Sequence, residues 1–168
     1  MGVSSCSVFH VRNETNPCCS YVRQTANYES HSPVKDVSAV QLRCHELTGP
    51  PYSTGTLKVE AGETISFQVS PNIQHPGPVA FYMAKVPEGQ TAKTFRGEGD
   101  VWFKIFHDQP SFGASQLAWP SEGVAELSVQ IPRCIVAGDY LLRVEHIGLH
   151  GAYDLGAAQV SHPAILNG

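Results

Sequence analysis

"TLKVEAGETISFQVSP", residues Thr56 to Pro71, carries two short runs of alternating apolar and polar side chains on either side of an Ala-Gly step. Leu57 and Val59 precede Ala61–Gly62, and Ile65, Phe67 and Val69 follow it. A period of two sends successive side chains to opposite faces of a strand, so the pattern predicts two half-buried strands around a tight connection. The same signal recurs down the chain. "VAFYMAKVP" predicts a third strand, and "VWFKIFHD" a fourth with Val101, Phe103 and Ile105 on one face. "AELSVQIP" sets Leu127, Val129 and Ile131 on one side and stops at Pro132, while "GDYLLRVEHIGLH" aligns Tyr140, Leu142 and Val144. Gly and Pro punctuate these runs and no helical period intervenes, which predicts an all-β sandwich. Tyr140, just after Gly138-Asp139, has the setting of a tyrosine corner or of a plain core tyrosine, and is structural in both readings.

Composition narrows the function classes. The chain has 168 residues, enough for one domain with its own core. Charged residues are only 15%, with 15 Gly and 12 Pro, a turn-rich and helix-poor mixture. A net charge of −4 without a Lys/Arg cluster gives no footprint for nucleic acid. No apolar stretch reaches the length that spans a bilayer, so no membrane partner is expected. The first residues lack a basic and an apolar region, so no signal peptide is read in the chain as given. Cys6, Cys18, Cys19, Cys44 and Cys134 show no zinc-type spacing, and an odd count leaves one thiol unpaired. Asn13-Glu14-Thr15 is a glycosylation sequon of the kind that chance also produces.

One stretch raises a chemical question. In "QHPGPVAFYMAK", Gln74 to Lys85, an imidazole sits on a Pro-Gly-Pro corner at the mouth of a strand. A rigid corner aims a side chain, as a metal ligand requires; the plain alternative is a loop histidine among ordinary turn residues. Together with "SPVKDVSAVQLRC", "VWFKIF", "IPRCIVAGDYLLRVEHIGLH" and "GAAQ", this block resembles the fungal copper-dependent lytic polysaccharide monooxygenases of auxiliary-activity family nine, formerly family sixty-one glycoside hydrolases. The likeness runs from about Tyr21 to Gln159. It divides the chain into an unmatched segment 1–20, a monooxygenase-like sandwich 21–159 and an unmatched tail 160–168.

The resemblance implies an immunoglobulin/fibronectin-like antiparallel β-sandwich whose loops carry the site. It implies a secreted, extracellular monomer that oxidatively cleaves β-1,4-glucan, cellulose or a related hemicellulose, with an external electron donor and one copper ion per chain. It places His75 as a metal ligand, one of two histidines that brace the copper. It makes His150 and Gln159 catalytic: His150 hydrogen-bonds the reacting oxygen and Gln159 orients that histidine. Imidazole nitrogen serves copper in both oxidation states, and the groups behind a ligand set its orientation. The assignment requires His75 and His150 to lie within about 12 Å of each other. His146 is read as a core or rim histidine, and His10, His31, His45, His107 and His162 as solvated. Tyr153 is a candidate for stacking on a sugar ring, or else packs under a loop.

Departures from the family pattern lead to further expectations. The family's other brace histidine begins the mature protein, whereas this chain begins Met1-Gly2, so no second brace ligand is nominated. After Gln159 the family continues with a tyrosine below the copper and then a cysteine; here Ser161 and Ala164 stand at or near those positions. The cysteine that pairs with the Cys44 position is thereby missing, a loss worth about 2–5 kcal/mol in a secreted domain. The last strand is expected to be absent, leaving an open edge. Val160-Ser161 fits a translated intron start. A site short of ligands binds copper more weakly than a three-nitrogen chelate, because each tethered ligand acts at high effective concentration. Three readings stay open: an impaired copper monooxygenase, a non-catalytic polysaccharide-binding remnant, and an immunoglobulin-like interaction domain with an incidental histidine. A glycoside hydrolase is disfavoured, since no convincing carboxylate pair is present.

Overall fold

The structure, a computed structural model, describes residues 9–11, 21–23, 32–44, 55–113 and 116–167, with the backbone alone for 9–11, 44 and 161–167. Three strands form one antiparallel sheet: β1 (Phe9–Val11), β2 (Thr64–Val69) and β7 (Glu126–Gln130), in the order β1-β2-β7. The facing sheet holds β3 (Val79–Lys85), β4 (Trp102–His107), β8 (Tyr140–Gly148) and β9 (Gln159–Asn167), in the order β4-β3-β8-β9. A small hairpin pairs β5 (Ser111–Phe112) with β6 (Leu117–Ala118), and α1 (Gln41–Cys44) is a single helical turn.

The alternating residues form the core between the sheets. Ile65, Phe67 and Val69 of β2 and Leu127, Val129 and Ile131 of the β7 run meet Phe81, Met83, Tyr140, Leu142 and Val144 from the other sheet. Phe67 and Phe81, both fully buried, tilt against each other across the gap with ring centroids 5.9 Å apart. Tyr140 is a tyrosine corner, its hydroxyl donating to the Val136 carbonyl at 2.8 Å.

A second, smaller core lies on the outer face of the four-stranded sheet. Ala84 and Leu141 pack there with Val86, Ala92 and Phe95, from the connection that folds over this face, and with Val101 and Trp102. The Arg143 guanidinium lies 4.5 Å from the Tyr82 ring and 4.7 Å from Trp102, and pairs with Glu145 at 3.2 Å. Burial, then the Glu145 carboxylate, push the Tyr82 phenol up to about 12, against the opposing pull of Arg143. Stacking on two aromatic faces and pairing with a carboxylate hold this cation in the outer layer.

Three expectations are corrected. Leu57 and Val59 alternate in burial and pack on the core, but residues 55–60 form no strand; Gly62 N–H donates to Ile131 O instead, and the Glu63 carboxylate accepts from Glu60 N–H, closing a turn. Val101 does not share the face of Phe103 and Ile105: it packs in the outer cluster, whereas Ile105 packs on the inner core and Phe103, though exposed, stands opposite the inner-core Met83. The pairing Phe81↔Phe106 followed by Tyr82↔Lys104 leaves Ile105 as a bulged extra residue, which brings Phe106 to the side of Phe81, their ring centroids 6.0 Å apart. The tail does not leave the sheet without its last strand: from Gln159 it forms β9, paired antiparallel along β8.

Candidate functional site

The Pro-Gly-Pro corner and the end of β8 are laced together by backbone. Ile147 N–H donates to Pro78 O at 3.0 Å and Leu149 N–H to Pro76 O at 2.8 Å. Gly77 has φ +145°, and a Cβ there would stand 1.8 Å from the Ile147 carbonyl oxygen. Only glycine admits this contact, which brings the corner directly onto β8. Both X-Pro bonds further restrict the backbone on which His75 rides.

That approach sets His75 against His150. The two rings stack with centroids 3.8 Å apart and planes 26° from parallel. Gly148 makes room for them, since a Cβ on it would stand 3.3 Å from His150 Nδ1 and 3.6 Å from His75 Cβ. Gln159 opens β9 directly across from Gly148, and its Nε2 lies 3.8 Å from where a Cβ on Gly151 would be. His75, His150 and Gln159, separated by up to 84 positions (159 minus 75), are therefore gathered at one end of the four-stranded sheet.

Behind the pair sits His146, 4% exposed, with its Nε2 3.1 Å from the His75 carbonyl oxygen. The carbonyl accepts, so Nε2 carries the proton in this contact. Burial depresses the basicity of His146; the bond to His75 and the Asp108 charge oppose that, and the two neighbouring imidazoles add to it. His75 is depressed as well, by burial first and by His150 next, with Glu122 acting in the opposite sense. Burial and His150 both favour the neutral ring at His75, the form that donates a lone pair to a metal. Asp108 is buried on the same side, its backbone N–H bonded to Val79 O at 2.9 Å and its carboxylate 3.4 Å from Val79 N.

The remaining candidates divide. Tyr153 is 91% exposed and so does not pack under a loop, and Leu155 in the same turn is fully exposed. His107 is exposed and contacts Gln109 at 2.7 Å. His10 and His162 lie within β1 and β9, and His31 and His45 fall outside the described residues. Cys134 is a free, exposed thiol; the side chains of the other cysteines and the glycosylation sequon lie outside what is described. Reading from sequence missed Gly148 and the His146 bond to the His75 carbonyl. The first carries no signal beyond a glycine in "HIGLH", and the second depends on a partner 71 positions away.

As donors, His75 and His150 offer imidazole nitrogens of the kind copper accepts. Among the described residues no third His, Cys, Asp or Glu joins them in a cluster able to hold a metal. The donor chemistry fits copper, with two imidazoles contributed by the described residues.

An antiparallel β-sandwich with a histidine pair at one sheet end is the class that fold and site define. The chain belongs to Auxiliary Activity family 9 (formerly GH61), whose family model matches residues 3–162. It is 56% identical over 139 residues to AA9 family lytic polysaccharide monooxygenase A of Thermothielavioides terrestris, covering 82% of this chain and 60% of that protein. It is 54% identical over 139 residues to AA9 family lytic polysaccharide monooxygenase H of Malbranchea cinnamomea, covering 83% and 60%. Its fold is similar, with a TM-score of 0.74 at 27% identity, to the extended catalytic domain of H. jecorina LPMO9A, also called EG4; the match covers 92% of this chain and 63% of that one. The chain thus spans about 60% of the length of these curated relatives.

Proposed function

We propose that this protein is a secreted, copper-dependent monooxygenase that cleaves β-1,4-glucan oxidatively and acts as a monomer with an external electron donor. Family membership supports the reaction class, and the 3.8 Å stack of His75 on His150 is the single observation that carries the site. His75 would hold the copper, which when bound supplies one-electron chemistry with an oxygen co-substrate that protein side chains lack. His150, fixed against His75 by the corner, is the group that offers or takes a ring proton on the substrate side. Gln159, held on β9 across from Gly148, orients that ring. His146 holds the His75 carbonyl from behind, and Tyr153, standing clear of the surface, gives a sugar ring a face to stack on.

A second reading is a polysaccharide-binding sandwich without catalysis. It is favoured by Tyr153, 91% exposed beside His150 in the chain. One experiment separates the two: Cu(II) titration followed by electron paramagnetic resonance, with product analysis on cellulose plus ascorbate. A nitrogen-coordinated signal with oxidised oligosaccharides, both lost in His75→Ala, supports the monooxygenase. Retention on cellulose that weakens in Tyr153→Ala, with neither signal nor oxidised product, supports the binding module and sinks the catalytic reading.

A further inference from the structure

We infer that the end of the sandwich remote from the imidazole pair is a binding site for a small amphipathic carboxylate. The two sheets part there around an open cleft of about 250 Å³, lined by Ile65, Met83, Ile131, Ile135, Tyr140 and Leu142, among others. Apart from Tyr140 its lining side chains are apolar, and that one phenol is already bonded to Val136 O. The volume approaches the lower end of ordinary small-molecule pockets, about 300 Å³. Tyr140 and Gly148 are the two ends of β8, so the cleft lies about 25 Å from the histidine pair at a strand's rise per residue.

The rim supplies the polar half of the argument. Lys85 follows Met83 by two positions on β3, so its side chain leaves on the face that lines the cleft. Arg133 follows Ile131 by two positions on the opposing sheet's chain. Both arms cross bare backbone: a Cβ on Gly138, in the lining, would stand 3.5 Å from Lys85 Cε, and one on Gly62, next to the lining residue Ala61, would stand 3.1 Å from Arg133 Cγ. Both glycines have positive φ, at +148° and +89°, so the room for the arms is built into the turns.

Neither cation has an ion-pair partner among the described residues. Glu63, the acid after Gly62, turns its carboxylate to Glu60 N–H instead. An apolar slot flanked by two cations, neither ion-paired among the described residues, complements a ligand with a hydrocarbon or single-ring body and one anionic head. The body would displace water from the cleft while the carboxylate stays at the rim between Lys85 and Arg133.

Octanoate is the test probe, with octylamine as its cationic counterpart, followed by methyl NMR of the whole chain. Saturable shifts at Met83, Ile131, Ile135 and Leu142 with octanoate, absent with octylamine, are expected. Lys85→Gln with Arg133→Gln should weaken octanoate binding tenfold or more while leaving the backbone spectrum intact, because both side chains are exposed. Lys85→Glu with Arg133→Glu should reverse the preference toward octylamine. Equal binding of the two probes, binding indifferent to the charge variants, or an absence of shifts overturns the inference. So do shifts of the same methyls with protein concentration alone, which would make a second copy of the chain the occupant. None of these outcomes depends on copper, so the monooxygenase reading stands or falls separately.

Discussion

Gly77 shows how much a single residue does here. Its missing side chain lets the corner rest on the Ile147 carbonyl, and that contact fixes the direction of His75. Gly77→Ala meets both a positive φ and a backbone oxygen 1.8 Å from the new Cβ, so the corner must lift off β8. A cost on the order of 3 kcal/mol or more is expected in urea unfolding; a change below about 1 kcal/mol would show that the corner is not anchored as described. His146 acts at the same scale through a different bond. His146→Gln keeps an N–H donor for the His75 carbonyl and His146→Phe removes it. The Phe variant should alter the copper resonance spectrum and weaken Cu(II) binding, with Gln restoring most of the loss. Equal behaviour of the two variants would reduce His146 to a space filler. His75 and His150 were legible in the linear order because the corner and the "VEHIGLH" run mark them; their 3.8 Å approach was not.

At the level of elements, the tyrosine corner and the bulge in β4 make the contrast plain. Tyr140 could be read from "AGDYLLRV", since the hydroxyl's partner lies only four positions upstream. Tyr140→Phe removes that one bond while keeping the ring in the core. It should cost about 1 kcal/mol in chemical denaturation with the fold unchanged; no measurable loss would mean that water replaces the bond in full. The inward side of Phe106, opposite Phe81, could not be read, because period-two alternation assumes an unbroken ladder. The shift opposite Phe81 and Tyr82 is set by the neighbouring strand. Residues 55–60 make the same point in reverse: they have a strand's alternation without a strand's partner, and alternation without a ladder yields extended chain packed on the core.

Across the whole molecule, the buried His146 couples folding to pH. His146 is less basic folded than unfolded, chiefly through burial, so the unfolded chain takes up protons that the folded chain resists. Its contribution to stability is present above the ordinary imidazole range and is lost as pH falls through that range toward the lower folded value. The metal-free protein should therefore lose stability between pH 7 and pH 5, and His146→Gln should flatten that slope; an unchanged slope would locate the effect in other groups. The family, the two-sheet architecture and the choice of His75 as candidate ligand all follow from local order, since alternation, turn residues and short blocks are carried by neighbours in the chain. The stacking of His75 on His150, the support from His146, the bulge at Ile105 and the strand formed by the tail follow from contacts between distant segments. Those depend on which strands pair and in what register, and register is settled only when both sheets bury their apolar faces together.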